Sequence, residues 1–130
     1  MPEVTQMVFI VDDDSSVRIG LSRLLDSAGY ATEVFGSAME YLERPVYDGI
    51  ACLILDVRMP EISGPQLYKR LVDEGIDLPT IFITAHGELP TGVEAMERGV
   101  VNVLQKPVDE TILLDAVCGA LACFQSASDD

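Results

Sequence analysis

The sequence predicts a doubly wound α/β domain, in which five parallel strands form one sheet with helices on both faces. Five short apolar runs alternate along the 130 residues with segments that carry helix caps or helically spaced apolar residues. This alternation is typical of parallel sheets with right-handed crossovers. Apolar residues make up 48% of the chain, which is enough to build the core of a single domain.

The first strand is predicted at residues 7–11, and three aspartates (12–14) follow it directly. Ser15 or Ser16 is expected to cap the next helix, because a hydroxyl at that position can accept a backbone N–H. Gly29 is a typical helix stop. A strand that ends in acids and leads into a helix is therefore predicted at the start of the chain.

A second strand is predicted at residues 31–35, and the segment 37–40 (Ser-Ala-Met-Glu) matches a capping box for a short helix to about Arg44. The apolar run 51–55 predicts a buried third strand. This strand delivers Asp56 to the mouth of a loop that is rich in proline, serine and glycine.

The second half of the chain continues the alternation. Its predicted elements are a helix from Gly64-Pro65 to Gly75, a strand at 79–84, a weak helix at 90–98, a strand at 100–104, and a helix capped by Asp109 that runs to about Cys123. We expect residues 1–125 to form the domain and residues 126–130 to be a frayed polar tail.

The net charge of −14, from 22 acidic and 8 basic residues, argues against direct nucleic-acid binding and against an anionic membrane surface. No apolar run is long enough to span a bilayer, and the N-terminal residues lack a signal-peptide pattern. The three cysteines (52, 118 and 123) lack metal-type spacing and are expected to be buried free thiols. These observations predict a cytoplasmic protein.

Chemically useful side chains stand where the predicted strands end. The carboxyl ends of parallel strands meet at one edge, so Asp12, Asp13, Asp56, Thr84 and Lys106 are expected around one crevice. Like-charged carboxylates about 4 Å apart repel by roughly 4 kcal/mol at an effective dielectric of about 20. Mg²⁺ would offset this repulsion, and with a lysine and a hydroxyl it completes the set needed to transfer a phosphoryl group to a carboxylate.

Each of these residues also has a simpler interpretation. The first two aspartates could merely cap the helix, and Asp14 could cap it or be solvated. Lys106 alone would be a surface lysine, and Thr84 alone would bond to the backbone. His86, the only histidine, is expected to be an exposed loop residue. The combination of these groups at the ends of four strands favours a site.

These motifs resemble the receiver domain of bacterial two-component response regulators. The matching segments are Ile10-Val-Asp-Asp-Asp14, Leu55-Asp-Val-Arg-Met-Pro60 with Gly64, Ile83-Thr-Ala85 and Lys106-Pro107. The resemblance covers roughly residues 7–123 and implies a flavodoxin-like fold with strand order 2-1-3-4-5. Residues 56–60 and 84–87 are most similar to the subgroup that is fused to a helix-turn-helix transcription domain.

The resemblance implies a role for each site residue. Asp56 would be the phosphorylated residue, and Mg²⁺ would be held by the side chains of Asp13 and Asp56 and by the backbone carbonyl of Arg58. Asp12 would help to hold the metal through water. The phosphoryl donor would be a phosphohistidine on a sensor histidine kinase.

Further implied features concern the phosphoryl group and its lifetime. Thr84 and Lys106 would bind the phosphoryl oxygens, and the peptide bond between Lys106 and Pro107 would be cis. Arg58 and His86 occupy positions that tune the lifetime of the aspartyl phosphate. The domain would catalyse its own phosphorylation and a slow hydrolysis, and it would act as a signalling domain rather than as an enzyme on other substrates.

One departure from the family and one apolar surface concern the output, which the resemblance implies to be transcription. Family members usually carry a Tyr or Phe in the fifth strand that rotates inward on activation, but Val103 stands at this position. The last helix is more apolar than one buried stripe requires. It could form a homodimer surface with the predicted fourth helix and fifth strand, or it could simply be buried in the core.

Three other classes of protein share part of this pattern. A flavodoxin-like cofactor protein would need a Ser/Thr/Gly-rich phosphate cradle after the first strand, where this chain has three acids. A metal-dependent phosphatase with an aspartate nucleophile would need an acid at position 58, where this chain has Arg58. A phosphorylation-independent receiver-like interaction module is the alternative that stays open, and only Val103 favours it.

Overall fold

The computed structural model describes residues 6–45, 47, 49–76, 78–85 and 100–128. It contains one five-stranded parallel sheet with the order β2-β1-β3-β4-β5, which confirms the predicted fold and strand order. In chain order the elements are β1 (Met7–Val11), α1 (Ser15–Ser27), β2 (Ala31–Phe35), α2 (Ala38–Leu42), β3 (Ala51–Asp56), α3 (Gly64–Asp73), β4 (Thr80–Thr84), β5 (Val100–Gln105) and α4 (Glu110–Ser128).

All five predicted strands are present, each within one residue of its predicted bounds. The helix predicted at residues 90–98 and the loop residue His86 lie outside the described residues. The last helix was predicted to end near Cys123, but α4 continues to Ser128. Its last turns contain alanine, glutamine and serine, residues that a helix tolerates at little cost.

Asp14 caps helix α1. Its carboxylate accepts hydrogen bonds from the backbone N–H groups of Ser16 (2.8 Å) and Val17 (3.4 Å). The prediction that Ser15 or Ser16 caps this helix is therefore wrong, and the alternative that Asp14 caps it is confirmed. Both serines already lie in the first helical turn, because Asp14 is the residue with an extended backbone (φ −91°, ψ 114°).

Helices α2 and α3 start with serine caps. Ser37 accepts from the N–H of Glu40, but the Glu40 carboxylate accepts from the N–H of Gly36 (3.1 Å), so the predicted capping box is only half formed. At α3, Ser63 and Gln66 form both hydrogen bonds of a capping box. This cap fixes the end of the loop that leads from β3 into α3.

The core consists of two layers, one on each face of the sheet. Alternate strand residues point to opposite faces, so Ile10 and Ile54 pack with α1 and α4, whereas Phe9 and Leu55 pack with α2 and α3. Strand β3 is buried along its whole length, as its central position in the sheet requires. The sheet is therefore a rigid support for the side chains at its carboxyl edge.

Core burial accounts for much of the apolar character of the first part of α4. In residues 110–122, the part of the helix whose side chains are described, the buried residues are Leu113, Ala116, Val117, Ala120 and Leu121. Ile112 is 52% exposed, and Cys118 is an exposed free thiol, so the expectation of a buried thiol at position 118 is wrong. Cys52 is buried in β3, and this burial raises the pKa of its thiol to about 12. Within the described part of the chain, no helix combines the length and hydropathy needed to cross a bilayer.

Candidate functional site

Polar side chains are buried at the carboxyl edge of the sheet, where a core residue would normally be apolar. Asp12 follows β1, Asp56 ends β3 and Thr84 ends β4, and these three residues are only 0%, 5% and 4% exposed. Lys106 follows β5, and Asp13 is exposed at the mouth of the site. The order of strands switches between β1 and β3, because β2 lies on one side of β1 and β3 to β5 lie on the other. Ligands bind at such a switch point in open α/β sheets.

The loop from β3 to α3 is held against Asp56 by Gly64. A Cβ atom at Gly64 would lie 2.2 Å from the backbone oxygen of Asp56, so only glycine fits here without movement. The N–H of Gly64 donates to the carbonyl of Val57 (3.0 Å). Within this loop Glu61 has a positive φ of 70°. The backbone after Asp56 is thus tightly folded over the start of α3.

The two carboxylate oxygens of Asp12 have different surroundings. Oδ1 accepts a hydrogen bond from the backbone N–H of Asp14 (2.8 Å), which closes the turn after β1. Oδ2 is fully buried and lies 3.0 Å from Lys106 Nζ, but it has no well-aligned hydrogen bond among the described residues. A buried carboxylate oxygen that is paired only by charge is a favourable ligand for a cation.

Lys106 connects the two buried carboxylates. Its Nζ lies 3.0 Å from Asp12 Oδ2 and 3.4 Å from Asp56 Oδ1, and its backbone N–H donates to the carbonyl of Thr84 (2.8 Å). Burial lowers the pKa of the ammonium group, but the close negative charges of Asp12 and Asp56 outweigh burial and raise the pKa overall. The peptide bond between Lys106 and Pro107 is cis, as predicted.

The pKa of Asp56 is raised to about 6. Burial is the largest cause and the negative charge of Asp12 is the next, while Lys106 opposes both. The ionised form of Asp56 is therefore less favourable than that of an ordinary aspartate, although it still predominates at neutral pH. A cation bound beside it would lower this pKa and keep the carboxylate ready for nucleophilic attack.

The acids fit a divalent cation. Asp12, Asp13 and Asp56 each offer a carboxylate oxygen, and these three atoms lie within 4.8 Å of one another. Three carboxylates and the ammonium group of Lys106 carry a formal charge of −2, which a divalent ion would neutralise. Hard carboxylate ligands at a partly exposed site are what Mg²⁺ prefers. Asp12 Oδ2, which is buried and paired only by charge, supports the same fit.

The structure brings most of the predicted site residues together. Asp12, Asp13, Asp56 and Lys106 form one cluster, and Thr84 ends the strand next to β3. Arg58, two residues after Asp56, has an exposed side chain, and His86 lies outside the described residues. Val103 on β5 is half-buried and packs against the core layer that contains Phe82. The position at which family members usually carry Tyr or Phe is therefore occupied by a half-buried valine.

Sequence reasoning missed Arg18. Its Nη1 donates a 2.7 Å hydrogen bond to the backbone oxygen of Asp12. A cation in the first turns of a helix opposes the helix dipole, and this unfavourable placement was a signal that the residue has a specific partner.

The family model for the response regulator receiver domain matches residues 8–118. Two curated relatives are nodulation protein W of Bradyrhizobium diazoefficiens (45% identical, covering 88% of this chain and 50% of that protein) and the transcriptional regulatory protein TdiR of Thauera aromatica (41% identical, covering 94% and 54%). The chain thus spans about half the length of the curated relatives it matches.

Solved structures agree with this match. The low-resolution structure of the response regulator StyR superposes with a TM-score of 0.89 at 42% identity, covering 96% of this chain and 63% of that chain. The range matched by the family model, residues 8–118, contains the acidic residues at the strand ends. The chain belongs to the response regulator receiver domain family, the receiver domains of two-component response regulators.

Proposed function

We propose that Asp56 accepts a phosphoryl group from a phosphohistidine of a sensor histidine kinase, in a reaction that requires Mg²⁺. The observation that carries this proposal is the position of Lys106 Nζ, 3.0 Å from Asp12 and 3.4 Å from Asp56, beside three carboxylates that could share one cation. These residues would bring a nucleophile, metal ligands and a cation together at one edge of the sheet.

The reaction uses the residues as follows. A carboxylate oxygen of Asp56 attacks phosphorus, the P–N bond to the histidine breaks, and the imidazole nitrogen leaves with the electron pair. Asp12, Asp13, Asp56 and the backbone carbonyl of Arg58 would hold Mg²⁺, which supplies positive charge to the phosphoryl oxygens when it is bound.

Lys106 and Thr84 act on the product. The ammonium group of Lys106 would turn from the carboxylates to the phosphoryl oxygens, and the hydroxyl of Thr84 would donate a hydrogen bond to the same group. Slow hydrolysis, in which water attacks phosphorus and the P–O bond to Asp56 breaks, would restore the carboxylate. Arg58 and His86 would set the rate of this hydrolysis.

The proposed output is control of transcription in a longer protein. TdiR is named a transcriptional regulatory protein, and this chain covers 54% of it. We propose that phosphorylation changes the surface formed by the helix predicted at residues 90–98, by β5 and by α4. We propose that a homodimer forms through this surface. Sedimentation with and without phosphorylation tests the dimer, and a monomer under both conditions would contradict it.

Phosphorylation by acetyl phosphate and by a phosphorylated histidine kinase, followed by intact-protein mass spectrometry, tests the function. We expect a mass gain of one phosphate that requires Mg²⁺ and is absent in Asp56→Asn. Glu61→Gln is a matched control, because Glu61 is an exposed acid in the same loop. Its phosphorylation should equal that of the parent protein.

Two results would contradict the proposal. Phosphorylation that persists in Asp56→Asn would show that another residue accepts the phosphoryl group. No phosphorylation from either donor, together with no Mg²⁺ binding, would instead favour the phosphorylation-independent interaction module.

A further inference from the structure

Arg18 contacts the acidic turn after β1 through its side chain and through the first backbone hydrogen bond of α1. Its guanidinium Nη1 donates to the backbone oxygen of Asp12 (2.7 Å), and its backbone N–H donates to the carbonyl of Asp14 (3.1 Å). The same turn is closed from inside by the hydrogen bond from the Asp14 N–H to Asp12 Oδ1. One residue of α1 thus bonds to the first and the last aspartate of the turn, and Asp13 lies between them.

The guanidinium group of Arg18 is not used for an ion pair within the described part of the chain. A Cβ atom built on Gly36 would lie 3.3 Å from Arg18 Nη1 and 3.2 Å from Glu40 Oε2, so both side chains flank this glycine. The Glu40 carboxylate nevertheless accepts from the Gly36 N–H. Arg18 directs its charge to a main-chain carbonyl, where a charge-assisted hydrogen bond is strong.

This carbonyl belongs to the residue with the most buried carboxylate of the site. Asp12 is 0% exposed, and its N–H continues the ladder to β2 by donating to the carbonyl of Phe35 (3.1 Å). With the N–H held by β2 and the carbonyl held by Arg18, the peptide units on both sides of Asp12 are fixed. The direction of its Cα–Cβ bond is then fixed as well, and the hydrogen bond from the Asp14 N–H to Oδ1 orients the carboxylate.

We propose that Arg18 is a positioning residue for the metal site, an inference that rests on the proposed function. Acting through the backbone oxygen of Asp12, it holds the carboxylates of Asp12 and Asp13 in the arrangement that binds Mg²⁺. Outer partners of metal ligands typically contribute roughly 10- to 100-fold to metal affinity. We expect a loss of Mg²⁺ affinity near the lower end of this range, about tenfold, when Arg18 is removed.

The sign of this effect separates positioning from simple electrostatics. Arg18 is a cation close to a cation site, so its charge alone repels Mg²⁺, and its removal would tighten binding. Loss of positioning has the opposite effect and weakens binding. An effect of charge and an effect of geometry therefore predict changes in opposite directions.

The experiment is a calorimetric Mg²⁺ titration of the parent protein, Arg18→Met, Arg18→Gln and Arg23→Met. Arg23 is the matched control, because it is an exposed arginine on the same helix whose side chain makes no hydrogen bond or ion pair to the described residues. We expect Arg18→Met to bind Mg²⁺ about tenfold more weakly than Arg23→Met. Arg18→Gln, which keeps a donor but not the charge, should fall between Arg18→Met and the parent.

Amide hydrogen exchange of the metal-free proteins gives a second measurement. The N–H of Asp14 should exchange faster in Arg18→Met than in Arg23→Met, and Arg18→Gln should restore part of its protection. A folding defect of Arg18→Met would be visible in the thermal transition. In that case Arg18→Gln takes its place and is compared with Arg23→Gln.

Equal or tighter Mg²⁺ binding by the Arg18 variant than by its Arg23 control would overturn the positioning role, even when the parent binds Mg²⁺. A parent protein that does not bind Mg²⁺ would overturn the proposed function and this inference together. The parent titration therefore distinguishes the two failures.

Discussion

The ammonium group of Lys106 lies 3.0 Å from Asp12 Oδ2, a buried oxygen that has no well-aligned hydrogen bond among the described residues. The pair is therefore held mainly by charge, and the side chain of Lys106 is only 22% exposed. The nearby Asp56 carboxylate is 3.4 Å from the same nitrogen. One side-chain cation, Lys106, thus compensates two buried carboxylates.

Replacement of Lys106 tests this compensation. Lys106→Met should lower the free energy of unfolding in EDTA by about 1–3 kcal/mol, because it leaves two buried carboxylates without a cation. Saturating Mg²⁺ should reduce the deficit, since the bound ion supplies the missing charge. Urea denaturation in EDTA and in Mg²⁺ measures both values.

The control for Lys106 is Lys69→Met, which breaks an exposed pair with Asp73 (3.3 Å) and should cost no more than about 0.5 kcal/mol. A deficit of the same size for Lys106→Met in EDTA and in Mg²⁺ would show that Lys106 acts through packing of its aliphatic chain.

The raised pKa of Asp56, about 6, predicts that stability depends on pH. The folded protein binds this proton more tightly than the unfolded chain, so the associated stabilisation is fully present below about pH 4 and is lost as the pH rises through about 6. Asp56→Asn removes the ionisation. In EDTA the variant should be about 1–3 kcal/mol more stable than the parent at pH 7.5.

Thermal unfolding at several pH values measures this difference. The difference in stability between Asp56→Asn and the parent should shrink toward zero near pH 4, because the Asp56 carboxyl of the parent is then protonated and uncharged like the asparagine. A gain in stability that is constant between pH 4 and 7.5 would contradict the assigned pKa shift. Mg²⁺ should reverse the order at neutral pH, because it stabilises the parent protein by binding to the ionised carboxylate.

Gly64 is predicted to be intolerant of any side chain. Gly64→Ala places a Cβ atom 2.2 Å from the Asp56 backbone oxygen, so we expect a destabilisation of at least about 1–3 kcal/mol and weaker Mg²⁺ binding, because the loop after Asp56 must shift. Chemical denaturation and a Mg²⁺ titration measure the two effects.

Gly20→Ala is the control for this substitution. Gly20 lies inside α1, and no neighbouring heavy atom is within 4 Å of an added Cβ, so the variant should be about 0.5–1 kcal/mol more stable than the parent. Equal stability of Gly64→Ala and the parent would show that the loop adjusts without cost.

The sheet and the acidic cluster could be predicted because both depend on short sequence patterns. Each strand is an apolar run, and Asp12, Asp56 and Thr84 stand at the points where such runs end. Parallel topology alone then brings these ends to one edge. The resemblance to receiver domains supplied the strand order and the cis peptide bond, which composition and periodicity do not contain.

Features that depend on one side-chain direction could not be predicted. Asp14, Ser15 and Ser16 are all good capping residues, and only the extended backbone of Asp14 decides between them. The contact of Arg18 with the Asp12 carbonyl depends on how α1 packs against the sheet. The exposure of Cys118 depends on which face of an apolar helix meets the core.

Arg44 anchors the edge strand β2, and its replacement tests whether lysine can do the same. Its Nε and Nη2 donate to both carboxylate oxygens of Glu33 (2.7 and 2.6 Å), and its guanidinium carbon lies 4.7 Å from the ring centre of Phe9. Arg44→Lys loses the two-point pairing and the stacking, so it should cost about 1 kcal/mol. Arg70→Lys, in an exposed pair with Glu74, should cost less than about 0.5 kcal/mol.

A double-mutant cycle of Arg44→Met with Glu33→Gln isolates the pair, because methionine cannot form it, and we expect a coupling energy of about 0.5–1 kcal/mol, since Glu33 is partly exposed. The hydrogen bond from Arg44 is the main cause that lowers the pKa of Glu33, against the effect of burial. The stabilisation from this pair is therefore present above the ordinary glutamate pKa of 4.5 and is lost as the pH falls further. Urea denaturation at pH 7 and pH 3.5 should show a smaller coupling at the lower pH, and no coupling at pH 7 would mean that stacking on Phe9 and not the ion pair holds Arg44 in place.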